Sequence, residues 1–143
     1  MKLIIGTDHR GYAHKEYIKS NMQSITWIDI GCFSTKPVDY PFIAKQTVEL
    51  LQKQEANQAV LLCGSGIGMS IAANRQRGIF AALVWNQKTA RQAREHENAN
   101  ILVLPSDYIT MQESVECITT WLTATFLKGR YAERCAMIDE PTL

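Results

Sequence analysis

Ala59-Val60-Leu61-Leu62-Cys63-Gly64-Ser65-Gly66-Ile67-Gly68-Met69-Ser70-Ile71-Ala72-Ala73-Asn74 reads as a buried strand, a glycine-rich turn and a helix. The apolar run Ala59–Leu62 is short enough for a strand covered on both faces. A glycine-rich turn from strand to helix leaves backbone N–H groups free, and such a turn can hold an anion. Cys63 ends the strand and a hydroxyl, Ser65, follows two residues on. A group able to take a proton therefore stands beside a ready-made oxyanion site. An isolated cysteine at a strand end is most often a small buried hydrophobe. The glycines and the helix N-terminus favour the thiolate and leave room for a ligand. Gly64, Gly66 and Gly68 make G-x-G-x-G, not the dinucleotide fingerprint, because Met69 holds the place of its last glycine. No Gly-Lys-Ser/Thr follows, so the turn is not a Walker A loop either.

Outward from this unit, short apolar runs alternate with longer amphipathic ones. Strands are expected at Leu3–Ile5, Ile25–Ile30, Ala59–Leu62, Ile79–Val84 and Ile101–Leu104, the last stopped by Pro105. Helices are expected at Tyr12–Met22, Phe42–Gln54, Met69–Asn74, Lys88–His96 and Met111–Leu127, with Pro41 placed where a helix can begin. Gly129 breaks the last of these, and a basic tail follows. Repeated strand–helix alternation with right-handed crossovers predicts an α/β fold: one doubly wound, Rossmann-like, three-layer sandwich around a five-stranded parallel sheet. Residues 1–143 form a single domain in this reading. Ligands of such sheets bind outside the carboxyl ends of the strands. Thr7–Gly11, Gly31–Asp39, Cys63–Gly68 and the His96 region before strand five are expected there.

Composition bounds the function. A chain of 143 residues, 46% hydrophobic and 20% charged, suits one globular domain. A net charge of +1 gives no broad basic field for nucleic acid or an anionic membrane. No window approaches the about 20 apolar residues of a membrane span, and Met1–Gly6 is too short an apolar run for a signal peptide. Cys32, Cys63, Cys117 and Cys135 are scattered with no Cys-x-x-Cys pair, which argues against a metal site and for free thiols in the cytoplasm.

Asp8-His9 follows the first strand directly, and Gly11 allows a tight turn there. These polar groups suit substrate contact, although Asp8 could equally cap the next helix. His96 ends a helix. It could complement the helix dipole, or act as a general acid or base. His14 lies in a polar helix and reads as solvated. Arg130 and Arg134, four apart, would share a helix face and suit a phosphate; alone, they read as a solvated basic tail. Trp27, Trp85 and Trp121 read as core or interface residues.

Together these residues resemble the ribose-5-phosphate isomerase B family, which includes the galactose-6-phosphate isomerase subunits. The resemblance runs nearly end to end through Gly6-Thr7-Asp8-His9, Asp39-Tyr40-Pro41, Cys63–Gly68, Ser70–Asn74, Arg94-Glu95-His96 and Gly129-Arg130 with Arg134. It implies aldose–ketose isomerisation of ribose 5-phosphate and ribulose 5-phosphate, with no metal or other cofactor. Cys63 would be the base, and Ser65 would relay protons. His96 and Asp8 would open the sugar ring. The N–H groups of Gly64, Gly66, Ile67 and Gly68 would hold a cis-enediolate. Asp39, Tyr40, Asn74 and Glu97 would line the sugar site. His9, Arg130 and Arg134 would meet the phosphate. In the family the two tail arginines act across a dimer interface. The resemblance therefore implies a homodimer, with tetramers left open, and a C-terminal helical tail from about 129 to 143 that contributes to it.

Three positions depart from the family pattern. Glu97 stands where asparagine is usual, and Tyr131 replaces a common histidine. Asp107 occupies the place of an arginine that helps bind phosphate after strand five. Glu97 and Asp107 motivate a second reading, an isomerase of another sugar phosphate of the allose or galactose 6-phosphate type. A non-catalytic sugar-phosphate-binding relative is a third, and the intact set of Asp8, Cys63, Ser65 and His96 argues against it.

Overall fold

A computed structural model describes residues 1–141. Five strands, β1 (Lys2–Thr7), β2 (Thr26–Asp29), β3 (Ala59–Cys63), β4 (Ala81–Leu83) and β5 (Ile101–Pro105), form one sheet in the order β2-β1-β3-β5-β4. Every pairing is parallel. The helices are α1 (Tyr12–Asn21), α2 (Tyr40–Gln52), α3 (Ile67–Ala73), α4 (Gln87–Glu95), α5 (Met111–Thr123) and α6 (Arg130–Ile138). Alternation along the strands divides the core in two. Ile4, Leu61 and Val103 pack with Ile43 and Val48 of α2 and Met69 of α3 on one face. Ile5, Val60 and Leu102 pack with Ile18 of α1, Ala90 of α4 and Trp121 of α5 on the other. The expected doubly wound three-layer sandwich is what forms.

Most boundaries shift by one or two residues, and two differences have a clear physical cause. β5 runs through Pro105, which pairs in register with Cys63 instead of ending the strand before it. Proline fits as a terminal strand residue, where its missing N–H costs the ladder little. α5 stops at Thr123, four residues early, although Phe126 and Leu127 continue the apolar pattern. The chain turns extended at Ala124, and the Leu127 N–H instead donates to the Glu95 carbonyl at 3.0 Å. His14 is not merely solvated, because its Nε2 reaches the Ile109 carbonyl at 2.9 Å.

A buried ammonium ties α1 to β2. Lys15 is fully buried, and its Nζ donates to Asp29 Oδ2 at 2.6 Å, a carboxylate that Lys19 also reaches at 2.6 Å. Burial alone would raise the Asp29 pKa, but the bonds from Lys15 and Lys19 outweigh it and hold the carboxyl below its ordinary value. Asp29 Oδ1 also accepts from the Gly31 N–H at 2.9 Å, which anchors the start of the Gly31–Asp39 loop. Asp29→Asn leaves the buried Lys15 ammonium with only the half-exposed Glu16 carboxylate, 3.1 Å away, and urea denaturation should record a loss of about 1–3 kcal/mol.

Candidate active site

The site grows from the neighbouring carboxyl ends of β1 and β3. Thr7 pairs with Leu62, so the residues that follow, Asp8 and Cys63, emerge side by side. Asp8 caps a short turn of 3-10 helix over His9–Gly11, its Oδ1 accepting the Arg10 N–H at 3.0 Å. The capping role is thus real, and it holds the carboxyl almost fully buried. Burial pushes the Asp8 pKa up despite the bond from the Arg10 N–H. Gly11 is required here, since a Cβ would lie 2.2 Å from Thr7 Oγ1. His9 Nδ1 accepts the Val38 N–H at 3.2 Å, which places the ring proton on Nε2 and ties the Gly31–Asp39 loop to the site.

Cys63 is 4% exposed, and its Sγ accepts the Gly66 N–H at 3.1 Å. The helix N-terminus does not win here. Burial, reinforced by the charges of Asp8 and Asp107, pushes the thiol pKa up, so Cys63 rests as the thiol in the single chain. Ser65 Oγ accepts the Ile67 N–H at 3.2 Å. Two of the four N–H groups expected to face an enediolate are therefore occupied, those of Gly66 and Ile67.

The glycines admit neighbours that any side chain would displace. A Cβ on Gly68 would lie 2.5 Å from Tyr40 Cζ, so the Tyr40 ring covers the turn from the α2 side. A Cβ on Gly64 would lie 2.6 Å from Arg10 Nε and 2.9 Å from Asp107 Oδ2. Gly66 has φ +76°, and a Cβ there would lie 2.4 Å from Leu83 Cδ1. Asp39 stands exposed at the start of α2.

His96 lies elsewhere. It follows α4 and precedes β5, so it belongs to the amino end of the sheet, not to the carboxyl end as expected. β5 pairs Ile101 with Ala59 and Pro105 with Cys63. The four residue steps between these pairs, at about 3.3 Å each, hold Cys63 and the His96 end apart by about 13 Å of strand. A second cluster forms around His96. Its ring stacks parallel on Tyr131 with centroids 4.5 Å apart. Arg130 and Arg134 carry their guanidinium carbons 5.2 and 5.9 Å from that tyrosine ring. Cys135 Sγ lies 3.9 Å from Glu97 Oε2. The structure thus gathers His96, Glu97, Arg130 and Arg134, and separates them from Asp8, His9, Tyr40, Cys63 and Ser65. The helical tail is present as α6, and Thr142 and Leu143 at its end lie outside the described residues.

Asn74 lies at the amino end of the sheet, where it lines a cavity together with Glu97. Its carboxamide accepts from the Ala81 N–H and donates to the Ala81 carbonyl, both at 2.8 Å. These two bonds close the edge strand β4.

Comparison with known proteins matches residues 3–138 to the Ribose/Galactose Isomerase family. The chain belongs to this family. The family's ribose-5-P isomerase B from Listeria innocua is 32% identical over 142 residues, covering 98% of this chain and 96% of the relative. A crystal structure of a ribose 5-phosphate isomerase from Thermotoga maritima superposes with a TM-score of 0.94 at 44% identity, covering 96% of this chain and 97% of that one. The ribose-5-phosphate isomerase B of Mycoplasma genitalium, solved with bound ribulose-5-phosphate, gives a TM-score of 0.90 at 33% identity over 96% of this chain and 93% of that one. The resemblance read from the sequence is therefore correct at the level of family, fold and isomerase class.

Gly66→Ala forces a left-handed backbone on alanine and drives its methyl into Leu83. Chemical denaturation should show a loss of about 1–3 kcal/mol, as the turn shifts and displaces the N–H that Cys63 accepts.

Proposed function

We propose that this chain is an aldose–ketose isomerase interconverting ribose 5-phosphate and ribulose 5-phosphate, in a site completed by a second copy of itself. The observation that carries the reading is the Cys63 thiol, held at the head of the glycine turn beside the buried Asp8 carboxyl. A metabolic setting in the cytoplasm is supported by four free cysteines. Among the described residues, no helix is long and apolar enough to cross a membrane.

The two clusters at opposite ends of the sheet account for the second copy. Neither is a complete site. In a two-fold dimer, the His96 end of one chain docks on the Cys63 end of the other, and symmetry makes two such sites. Exposed apolar side chains around the turn, Phe42, Ile67 and Ile71, support a docking surface of this kind.

The chemistry then runs as follows. His96 of the second copy and Asp8 of the first open the furanose ring by proton transfer. Cys63, as thiolate, takes the proton from C2, and the electron pair moves through C1 onto O1 as a cis-enediolate. The same proton returns to C1, and Ser65 relays the hydroxyl proton from O2 to O1. The unoccupied N–H groups of the glycine turn hold the enediolate charge. His9, with Arg130 and Arg134 of the second copy, binds the phosphate. Burial favours the neutral thiol, and the cationic cluster delivered by the second copy favours the thiolate. Glu97 beside these arginines favours, as a second reading, a sugar phosphate other than the pentose; kcat/KM compared across sugars decides between them.

NMR of ribose 5-phosphate with the protein in D2O should show ribulose 5-phosphate, and a folded Cys63→Ala protein should lose at least about 100-fold in rate. Conversion at the wild-type rate by that variant would remove Cys63 from the base role. Inactive Cys63→Ala and His96→Ala proteins, mixed and allowed to exchange subunits, should regain activity. Half the dimers are then mixed, each with one native site of two, so about a quarter of wild-type activity is expected. No recovery despite proven exchange would place His96 and Cys63 in the same chain's site. The base works deprotonated, so kcat/KM should climb with pH by up to about tenfold per unit below the Cys63 pKa of the assembled site and level off above it.

A further inference from the structure

Arg10 touches the glycine turn, yet neither the motif reading nor the mechanism above employs it. Its guanidinium lies against Gly64, and its Nη2 pairs with Asp107 Oδ2 across the end of the sheet. The pair is fastened to the turn by backbone. The Asp107 N–H donates to the Gly64 carbonyl at 3.0 Å, and the Ser106 N–H donates to the Cys63 carbonyl at 2.9 Å. Ser106 Oγ also donates to the Arg10 carbonyl at 3.2 Å. Arg10 is thus fixed relative to Cys63 from both its backbone and its side chain. Yet the two side chains are 57% and 37% exposed. An ion pair so open to water contributes little to stability. What it does is set the charge at the mouth of the site.

Within one chain that mouth is otherwise acidic, apart from Lys36 of the Gly31–Asp39 loop. Asp8, Asp39 and Asp107 all stand at this end of the sheet, and His9 presents only an N–H. An anionic substrate needs a cation here. A guanidinium carries five N–H donors in a planar fork, and Asp107 engages one edge of Arg10. The remaining donors suit a phosphate better than a lysine would. Arg10 also lies at the rim, whereas the Cys63 sulfur is buried. It is placed to hold the non-reacting end of the substrate instead of the carbons that exchange protons.

We propose that Arg10 is a phosphate-binding residue of this site and that Asp107 is its positioning residue, orienting the guanidinium and cancelling its own charge in doing so. The proposal rests on the sugar-phosphate reading above. Asp107, a like charge to phosphate when considered alone, becomes compatible with an anionic substrate once paired.

The test compares Arg10→Gln, Arg10→Lys, Asp107→Asn and the double Arg10→Gln/Asp107→Asn protein. All keep the Asp8 cap, which uses the Arg10 backbone N–H and not its side chain. Binding held equally in ground and transition states moves KM and leaves kcat alone. Arg10→Gln should raise KM for ribose 5-phosphate about tenfold or more with kcat within about threefold, and weaken inhibition by inorganic phosphate by the same factor. Arg10→Lys should recover part of that loss. Asp107→Asn alone should raise KM less than Arg10→Gln does. In the double variant KM should fall below that of Arg10→Gln, because an unpaired Asp107 repels the phosphate. An unchanged KM in Arg10→Gln, or a loss confined to kcat, overturns the proposal. Inorganic phosphate titrated by 31P NMR separates this from the isomerase reading. If the wild-type protein turns over no ribose 5-phosphate, that reading fails. Arg10 is still upheld by weaker phosphate binding in Arg10→Gln, and overturned by equal binding.

Discussion

The parallel pairing of β1 with β3 sets the position of everything at the carboxyl end of the sheet. Its register places Thr7 opposite Leu62, and the Asp8 N–H continues it weakly to the Leu62 carbonyl at 3.4 Å. The next residue of each strand is then Asp8 and Cys63, the two groups whose protons the proposed chemistry uses. These two strands are also where the winding reverses: β2 lies to one side of β1, and β3, β5 and β4 lie to the other. A crevice opens at such a reversal, since the crossover helices leave in opposite directions. α1 leaves toward one face and α3 toward the other, which leaves the Asp8–Cys63 edge uncovered by either. A slip of one residue in this register would turn each strand's apolar set to the wrong core. The site geometry is thus enforced by the packing of Ile4, Ile5, Val60 and Leu61.

The glycine turn converts that register into a pocket wall. Its glycines do different things. Gly66 supplies a left-handed backbone, and its missing side chain lets Leu83 close the floor. Gly68 makes room for the Tyr40 ring, and Gly64 for the Arg10–Asp107 pair. Arg10 from the end of β1, Tyr40 from the start of α2 and Asp107 from the end of β5 all converge on one turn of β3. Three segments remote in sequence are held at one place because the turn has no side chains to keep them away.

The fold was largely legible because each core is built from a simple period. Fully apolar strands separated by amphipathic helices admit few other solutions. The errors have local physical causes. Pro105 was read as a stop, but as the terminal residue of β5 it sits in register with Cys63. The apolar pattern of α5 continues past its end because Phe126 and Leu127 serve an extended segment that bonds back to Glu95. In the site, Asp8, Cys63 and Ser65 were legible as neighbours of strand ends and glycines, whereas Tyr40 entered only through the family resemblance. The pairing of the Asn74 amide with the Ala81 backbone is not legible in a single sequence. The Cys63 thiolate was misjudged because burial, which sequence does not report, outweighs two N–H donors. Arg10 left no signal at all: its partner is 97 residues away.

His96 is the most instructive case. Its place before β5 already fixes it at the amino end of the strand, and strand direction alone forbids it from meeting Cys63 within one chain. Motif order along a sequence carries no such sign, so residues read as one constellation can be divided between two ends of a sheet. In the two-copy reading this division has a chemical consequence. The buried Cys63 next to Asp8 sits in an environment that disfavours a second negative charge. The cations that would reverse this, Arg130 and Arg134, stand on α6, none of whose residues is buried in the single chain. Assembly would therefore bring together the buried acid–base end and the exposed cationic end, and the thiol would become a useful base only when both are present. A free chain with a neutral thiol is protected from the oxidation to which a permanently activated thiolate is prone. On this argument the raised pKa of Cys63 is the resting condition of half a site, and reactivity is a property of the assembled whole.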